Sequence, residues 1–400
     1  MKIPEGFEEV VGSDDTFDAL KVDGAMYGLV QAARQWWYTF CQKMKEKGYE
    51  RSRAAPCLFK KTTVNGMILI SLYVDDGYII ANTDGLSTAK TDLEDSFKIK
   101  FGQGINDYVG CTIIEKDNVV YFVQPHLIKK LHKNFVDKVP ERSYDTPMNQ
   151  GLNVNRLLSK EDPLSDEDQK IYRSGVGMLL YLVKYSRPDI ANSVRELAKV
   201  MDGASYQDYK YLLRVIKFIL DTKSYGVYMD FNVSTTKNSK IKIKAYCDSD
   251  YAGDSETRKS VSGFIIYLDN LPISWKSKGQ RTVTLSSTEA EYIALSDVIM
   301  ELKYLHQVLE FMDEDVTLPM IVHVDNASAI YLSKNWVAGQ RTKHIDIRHH
   351  FVREYQEDGM VKIIFIAGSE NDADIFTKNL ARTDYQKHAE KIIMDTNRVA

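Results

Sequence analysis

The sequence predicts a multidomain protein of mixed class, α/β and α+β, ending in a layered domain of sheet and helices. Three observations carry this. The chain has 400 residues, enough for two or three domains of ordinary size. Its middle holds three helical patterns in succession, "YRSGVGMLLYLVKYS", "DIANSVRELAKVM" and "YKYLLRVIKFILDT". After residue 240 the order changes to three antiparallel strands followed by alternating helices and strands, as in a mixed α/β layer fold.

Composition removes several classes. A hydrophobic fraction of 44% and a charged fraction of 27% are globular rather than disordered. No apolar run approaches the roughly 18 residues of a membrane span, and "MKIPEGFEEV" has no signal-peptide pattern. The cysteines, Cys41, Cys57, Cys111 and Cys247, are far apart and form no C-x-x-C pair. That pattern suits a reducing, intracellular setting rather than a disulfide framework or a zinc site. Net charge is −4, so there is no global basic footprint for nucleic acid. Basic and acidic residues number 33 and 32 up to residue 240, and 19 and 24 after it. A polyanion would have to be gripped by local patches.

The elements follow in chain order. Residues 26–48 carry a helical pattern with an aromatic centre, "QAARQWWYTFCQKMKEKGY". Residues 67–81 read as two strands around Asp75 and Asp76, two adjacent carboxylates in an apolar run. Burying such charges is expensive without a partner. "VVYFV" (119–123) reads as a strand and "HLIKKLHKNF" as an amphipathic helix. Asn149 to Lys170 is polar and acidic and reads as a mobile connector. Arg187-Pro188 ends the first central helix, and "FNVSTTKNSK" (231–240) is the best domain boundary. Beyond it we expect strands at 241–247, near 261–268 and at 272–284, and a helix at 287–311. A strand at 320–325, helices at 327–334 and near 344–357, a strand at 361–366 and a helix from 370 complete the series.

The chemistry of the second half lies in recurring acids. In "IKIKAYCDSDYAGD", alternation puts Ile241, Ile243, Ala245 and Cys247 on one face. Lys242, Lys244, Tyr246 and Asp248 fall on the other, polar face. Ser286-Ser287-Thr288-Glu289 is a capping box, which accounts for Glu289. Glu291 differs: it lines up with Leu295, Val298, Leu302, Leu305 and Leu309, the stripe that should face the sheet. A carboxylate heading a buried stripe wants a cation or a proton. Asp325-Asn326 ends an apolar strand, where either residue could cap the next helix. In "IIFIAGSENDADIFTK", Asp372 fits a capping box with Ser369, and Asp374 is left over.

If these acids converge they form an all-oxygen site, which suits Mg²⁺ or Mn²⁺. Two such ions about 4 Å apart can clamp the attacking and leaving oxygens of a phosphodiester. Arg258, Lys259, Lys276, Lys278 and Arg281, with Trp275 among them, make a basic hairpin that is either a phosphate-contacting edge or a solvated face. His344, His349 and His350 lack zinc-ligand spacing. Trp36, Trp37, Tyr38 and Phe40 could stack bases, but their helical spacing favours packing.

The residues carry a resemblance almost end to end. "IPEGFE", "MYGLVQAARQW", "LYVDD", "YRSGVGMLLYL…SRPDIANSV", "DSDYAGD…RKSVSGF", "ISWKSKGQRTVTLSSTEAEYIALS", "VDNASAI", "RTKHIDIRHHFVRE" and "DADIFTK" occur in one order. In these the chain resembles the reverse transcriptase–ribonuclease H region of copia-type LTR-retrotransposon Pol polyproteins. The resemblance implies partial reverse-transcriptase fingers and palm over 1–148, a helical thumb or connection over 149–235, and a ribonuclease H-like domain over 241–395. It implies metal-binding carboxylates at Asp248, Glu291, Asp325 and Asp374, the glutamate being the one before "YIAL". It implies two-metal hydrolysis of the RNA strand of RNA–DNA hybrids, with two Mg²⁺ (or Mn²⁺) ions per site. "YVDD" is similar to a palm hairpin whose aspartates, here Asp75 and Asp76, hold two ions at the polymerase site.

The resemblance also places a third polymerase aspartate upstream of "PEGFE". Asp14, Asp15 and Asp18 lack the apolar strand that should precede it. The polymerase site is therefore expected to be incomplete and inactive. Val30 and Ala33 stand where the family usually has Lys and Pro, and Gly24 where it has a basic or small polar residue. The implied partners are RNA–DNA hybrid and template-primer, with self-association or other Pol fragments beside them, and no membrane. The implied location is the cytoplasm, in virus-like particles, and the nucleus. The alternative is a non-catalytic nucleic-acid-binding relic or co-opted product, though such a binder has no reason to keep four phosphate-repelling acids together.

Overall fold

A computed structural model describes residues 24–26, 28–102, 107–232, 240–334 and 343–397; the side chains of 343–347 and 349 lie outside it. The chain divides into two compact units, Met1–Phe101 and Gly102–Ala400.

The first unit packs helix α1 (Ala32–Glu46) and helix α2 (Thr83–Glu94) around a four-stranded sheet. Its strands are β1 (Glu50–Arg51), β2 (Leu58–Thr63), β3 (Gly66–Tyr73) and β4 (Asp76–Ile80), antiparallel in sequence order. Phe40 and Met44 from α1 meet Phe59, Ile68 and Ile70 from the sheet and Ala89 and Leu93 from α2. The β3–β4 turn is two residues, Val74 and Asp75, with Tyr73 paired to Asp76. Val74 sits at φ 58°, unusual for a β-branched residue. The Trp36 indole braces it, donating to the Val74 carbonyl at 2.6 Å. Asp75 and Asp76 are thus exposed at a hairpin tip, and the expected burial cost does not arise. The expected aromatic packing holds for Trp36 and Phe40, which meet Phe97. The helix expected from residue 26 begins only at Ala32. Asp14, Asp15 and Asp18 lie outside the described residues.

The second unit has two five-stranded sheets. Its elements run β5 (Asp107–Tyr108), β6 (Cys111–Lys116), β7 (Val119–Val123), α3 (Pro125–Phe135), α4 (Arg156–Ser159), α5 (Asp166–Tyr185), α6 (Ala191–Ala198), α7 (Tyr206–Asp221) and β8 (Tyr225–Asp230). They continue with β9 (Ile243–Asp250), β10 (Val261–Leu268), β11 (Leu271–Gly279), α8 (Ser287–Phe311), β12 (Met320–Val324), α9 (Ala327–Lys334), α10 (Lys343–Glu357), β13 (Val361–Phe365), α11 (Arg382–Ala389) and β14 (Ile393–Asp395).

One sheet, ordered β14-β8-β7-β6-β5, is antiparallel throughout. Of these strands only β7 was expected from the sequence; β5 and β6 lie just before it, β8 sits between a helix and a polar stretch, and β14 lies next to the C-terminus. Because β5–β7 pair in one sheet with β8, residues 107–123 pack within the second compact unit. The boundary expected at 231–240 lies, for residues 233–239, outside the described residues.

The other sheet is ordered β11-β10-β9-β12-β13. Its first three strands are antiparallel, while β12 runs parallel to both β9 and β13. On one face, Ile243, Ala245 and Cys247 pack against the Leu295–Val298–Leu302 stripe of α8. The other face was expected to be polar, but it is buried too. Tyr246, Ile265 and Tyr267 join a core built from α3, α5, α6, α7 and the C-terminal segment. A buried ion pair ties that layer together. Arg187 and Asp189 have fully buried side chains 2.8 Å apart. Asp189 also accepts from the Tyr385 hydroxyl at 2.7 Å, and Arg187 donates to the Thr222 carbonyl.

The connector over 149–170 is largely exposed but anchored at a few buried points. Val154 is buried, its N–H held by Glu196 at 2.7 Å, and Leu164 inserts into the same core. Ser165 then caps α5, whose first turn carries Asp166, Glu167 and Asp168. The acidity that suggested solvation is helix-start chemistry. The helix expected from 370 is instead two 3₁₀ turns, Gly368–Glu370 and Asp374–Phe376, followed by α11.

Candidate active site

Parallel pairing of β12 with β9 aligns two strand ends. Tyr246 stands opposite His323, and two residues further on each strand carries an aspartate, Asp248 and Asp325. The α8 helix starts where Ser286 accepts the Glu289 N–H, with the Glu289 carboxylate reaching back to the Leu285 N–H. This start sets the stripe that points Glu291 at the same strand ends. Oxygens of Asp248, Glu291 and Asp325 lie within 4.8 Å of one another, and they form the one such group of possible metal ligands among the described residues.

The fourth acid arrives on the 3₁₀ turn Asp374–Phe376. Gly263, the residue of β10 opposite Asp248, makes its approach possible. A Cβ there would stand 2.7 Å from Thr377 Cγ2 and 2.8 Å from Phe376 Cβ. Thr377 then donates its hydroxyl to Asp248 Oδ2. Lys378 Nζ lies 3.2 Å from that same oxygen and 3.1 Å from Asp374 Oδ1. Asn371 fixes the loop by donating to the Cys247 carbonyl at 2.9 Å.

The electrostatics are strained by charge crowding. Glu291 is 5% exposed; Oε1 accepts the Ser249 N–H at 3.2 Å, while Oε2 is buried without a partner. Burial first, then the Asp248 and Asp325 charges, push its carboxyl up to about 9. Burial and the Asp248 charge also raise Asp325, and push Asp374 up to about 7. For Lys378 burial acts to lower the ammonium's pKa, but Asp248 and Asp374 outweigh it and raise it. Three carboxylates gathered in one group, two of them buried and one with an orphaned oxygen, are chemically suited to a hard divalent cation.

Other expected residues fall elsewhere. Asp75 and Asp76 form a separate exposed pair in the first unit, where no described His, Cys, Asp or Glu completes a metal-binding group with them. Asp372 makes no capping box with Ser369. It is buried, accepting from Lys391 at 2.6 Å and Tyr267 at 3.3 Å and paired with His388 at 2.9 Å. In the basic hairpin, Arg258, Lys278 and Arg281 are exposed and Lys259 is half-buried. Lys276 is committed to Asp297 at 3.3 Å, and Trp275 donates to the Val183 carbonyl at 2.8 Å, so its ring is a packing element. His350 is exposed, and the side chains of His344 and His349 lie outside the described residues. The sequence reading missed Lys378. Its signal was a lysine four residues after Asp374, the spacing of neighbours on a helical turn.

Comparison with known proteins gives one family model and many relatives. Residues 1–149 match the model described as reverse transcriptase (RNA-dependent DNA polymerase). The chain is 33% identical over 406 aligned residues to the retrovirus-related Pol polyprotein from transposon TNT 1-94 of Nicotiana tabacum, covering 99% of this chain and 29% of that protein. It is 30% identical to the Pol polyprotein from transposon RE1 of Arabidopsis thaliana, covering 98% of this chain and 26% of that one. The chain thus spans less than a third of the length of these curated relatives. Among solved structures, a foamy viral protease-reverse transcriptase in complex with RNA/DNA hybrid aligns over 86% of this chain and 39% of its own, at 12% identity and a TM-score of 0.47.

Proposed function

This chain belongs to the copia-type retrotransposon Pol family, in its reverse transcriptase–ribonuclease H region, and on that premise we propose that its second unit hydrolyses the RNA strand of RNA–DNA hybrids. The observation that carries the proposal is the convergence of Asp248, Glu291 and Asp325, from three separate elements, with the buried Glu291 Oε2 left open. Structural packing gives no reason to gather three acids in one cleft and leave a buried carboxylate oxygen without a partner, since each acid costs desolvation and repels the others. A site for divalent cations does.

In this reading Asp248, Glu291, Asp325 and Asp374 hold Mg²⁺ or Mn²⁺. When bound, such ions neutralise a phosphodiester and supply an activated water. The protein's own part is positioning. Asp248 sits on the central strand, buried on both sides, so its carboxylate has little freedom. Ser249 N–H fixes the Glu291 carboxylate by one oxygen and leaves the other buried without a partner. Thr377 orients Asp248, and Asn371 anchors the loop that carries Asp374. Exposed Arg258, Lys278 and Arg281 supply positive charge for a nucleic-acid backbone. In the first unit, Asp75 and Asp76 at their braced tip are the family's polymerase aspartates.

The test is incubation of the chain with a labelled RNA–DNA hybrid in Mg²⁺ or Mn²⁺, beside Asp248→Asn. Cleavage of the RNA strand by the parent, lost in the variant, is expected. A soluble, folded parent that leaves the hybrid intact overturns the proposal.

A further inference from the structure

The four carboxylates are not equivalent. Oxygens of Asp248, Glu291 and Asp325 lie within 4.8 Å of one another, and Glu291 Oε2 is buried without a partner. Asp374 stands outside that group of three and is joined to Asp248 by the Lys378 ammonium, at 3.1 and 3.2 Å. Lys378 therefore lies where a cation shared by Asp248 and Asp374 would lie. Its side chain is 39% exposed, and its four-carbon stem can carry the head into water. A doubly charged ion on the same two carboxylates cannot coexist with an ammonium in contact with both, because the two cations would repel at close range.

We infer that Lys378 is a built-in counter-cation holding the place of one divalent ion, so that the site takes its first ion on Asp248, Glu291 and Asp325 and a second only by displacing the ammonium. The inference rests on the metal-site reading above but not on hybrid cleavage. It gives the lysine two effects. Without metal it offsets part of the carboxylate repulsion and anchors the 3₁₀ turn. With metal it makes the second ion's affinity depend on a competition inside the protein.

The test is calorimetric titration of the full chain with Mn²⁺, for the parent, K378M and K378R. The parent should show a tight and a weak step. Removing two charge-assisted hydrogen bonds should tighten the weak step about tenfold or more in K378M. The tight step should move less than about threefold. K378R keeps a competing cation and should resemble the parent. Without Mn²⁺, K378M should melt below the parent, and saturating Mn²⁺ should close that gap. A weak step equal in parent and K378M overturns the role of Lys378. Binding of no ion by folded parent and folded K378M overturns the metal site and this inference together. Two-step binding without hybrid cleavage overturns the activity alone and leaves the lysine's role standing.

Discussion

Replacing Glu291 by Gln should make the metal-free protein more stable at alkaline pH, against the usual effect of changing a buried charged residue. The reason is the environment of this carboxyl. Burial and the neighbouring Asp248 and Asp325 raise it from the ordinary 4.5 to about 9. The folded group therefore keeps its proton where the unfolded chain has lost it. Its contribution to stability is fully present below the unfolded value and is lost as pH rises towards the folded one. Each pH unit in that window is worth about 1.4 kcal/mol. From about pH 5 to about pH 8 the loss is about 4 kcal/mol at most, and about 2 kcal/mol if the three acids share the effect. The glutamine keeps the shape, can accept the Ser249 N–H and does not titrate. Urea unfolding with a chelator at several pH values measures the difference. The parent's stability should fall more steeply than the variant's, the two curves diverging by about 2–4 kcal/mol towards pH 8. Mg²⁺ should restore the parent at pH 8 and leave the variant little changed. Parallel curves for the two proteins would refute the reasoning.

Gly263→Ala should force Thr377 and Phe376 back from β10. It should cost about 1–3 kcal/mol and lower metal affinity while leaving the circular-dichroism spectrum intact. Asp189→Ala should leave Arg187 buried and unpaired, lowering stability by about 3–5 kcal/mol in chemical denaturation. Trp36→Phe keeps the aromatic cluster but removes the bond to the Val74 carbonyl. It should cost about 0.5–1.5 kcal/mol and speed amide exchange in the Val74–Asp75 turn, with no change in exchange around Asp248.

Much of the fold is legible in local pattern. The α8 helix runs over Ser287–Phe311, as its Ser286 cap and apolar stripe require, although Glu289 accepts the Leu285 N–H instead of closing the expected capping box on Ser286. Ile243, Ala245 and Cys247 pack against α8, and their alternation with Lys244, Tyr246 and Asp248 alone separates Asp248 from that apolar set. What failed were two readings that took polarity for an open face or for a loop. Tyr246 and Lys244 were placed on a polar face, yet the helical layer covers it. The acidic run at 165–168 was taken for a loop, yet it starts a helix.

The sequence by itself determined which acids needed explaining. Glu291 stands on a stripe that must be buried, and Asp325 ends a strand whose residues are all apolar or half-buried. These are local facts, written in periods of 3.6 and 2 residues. Only the tertiary structure decided that the acids meet. That depends on β12 pairing beside β9 in parallel register and on the single missing side chain at Gly263 that admits the Asp374 turn. It alone also revealed Lys378 between two of the acids, because an ammonium's partner is fixed by which segments pack together and not by its neighbours in the chain.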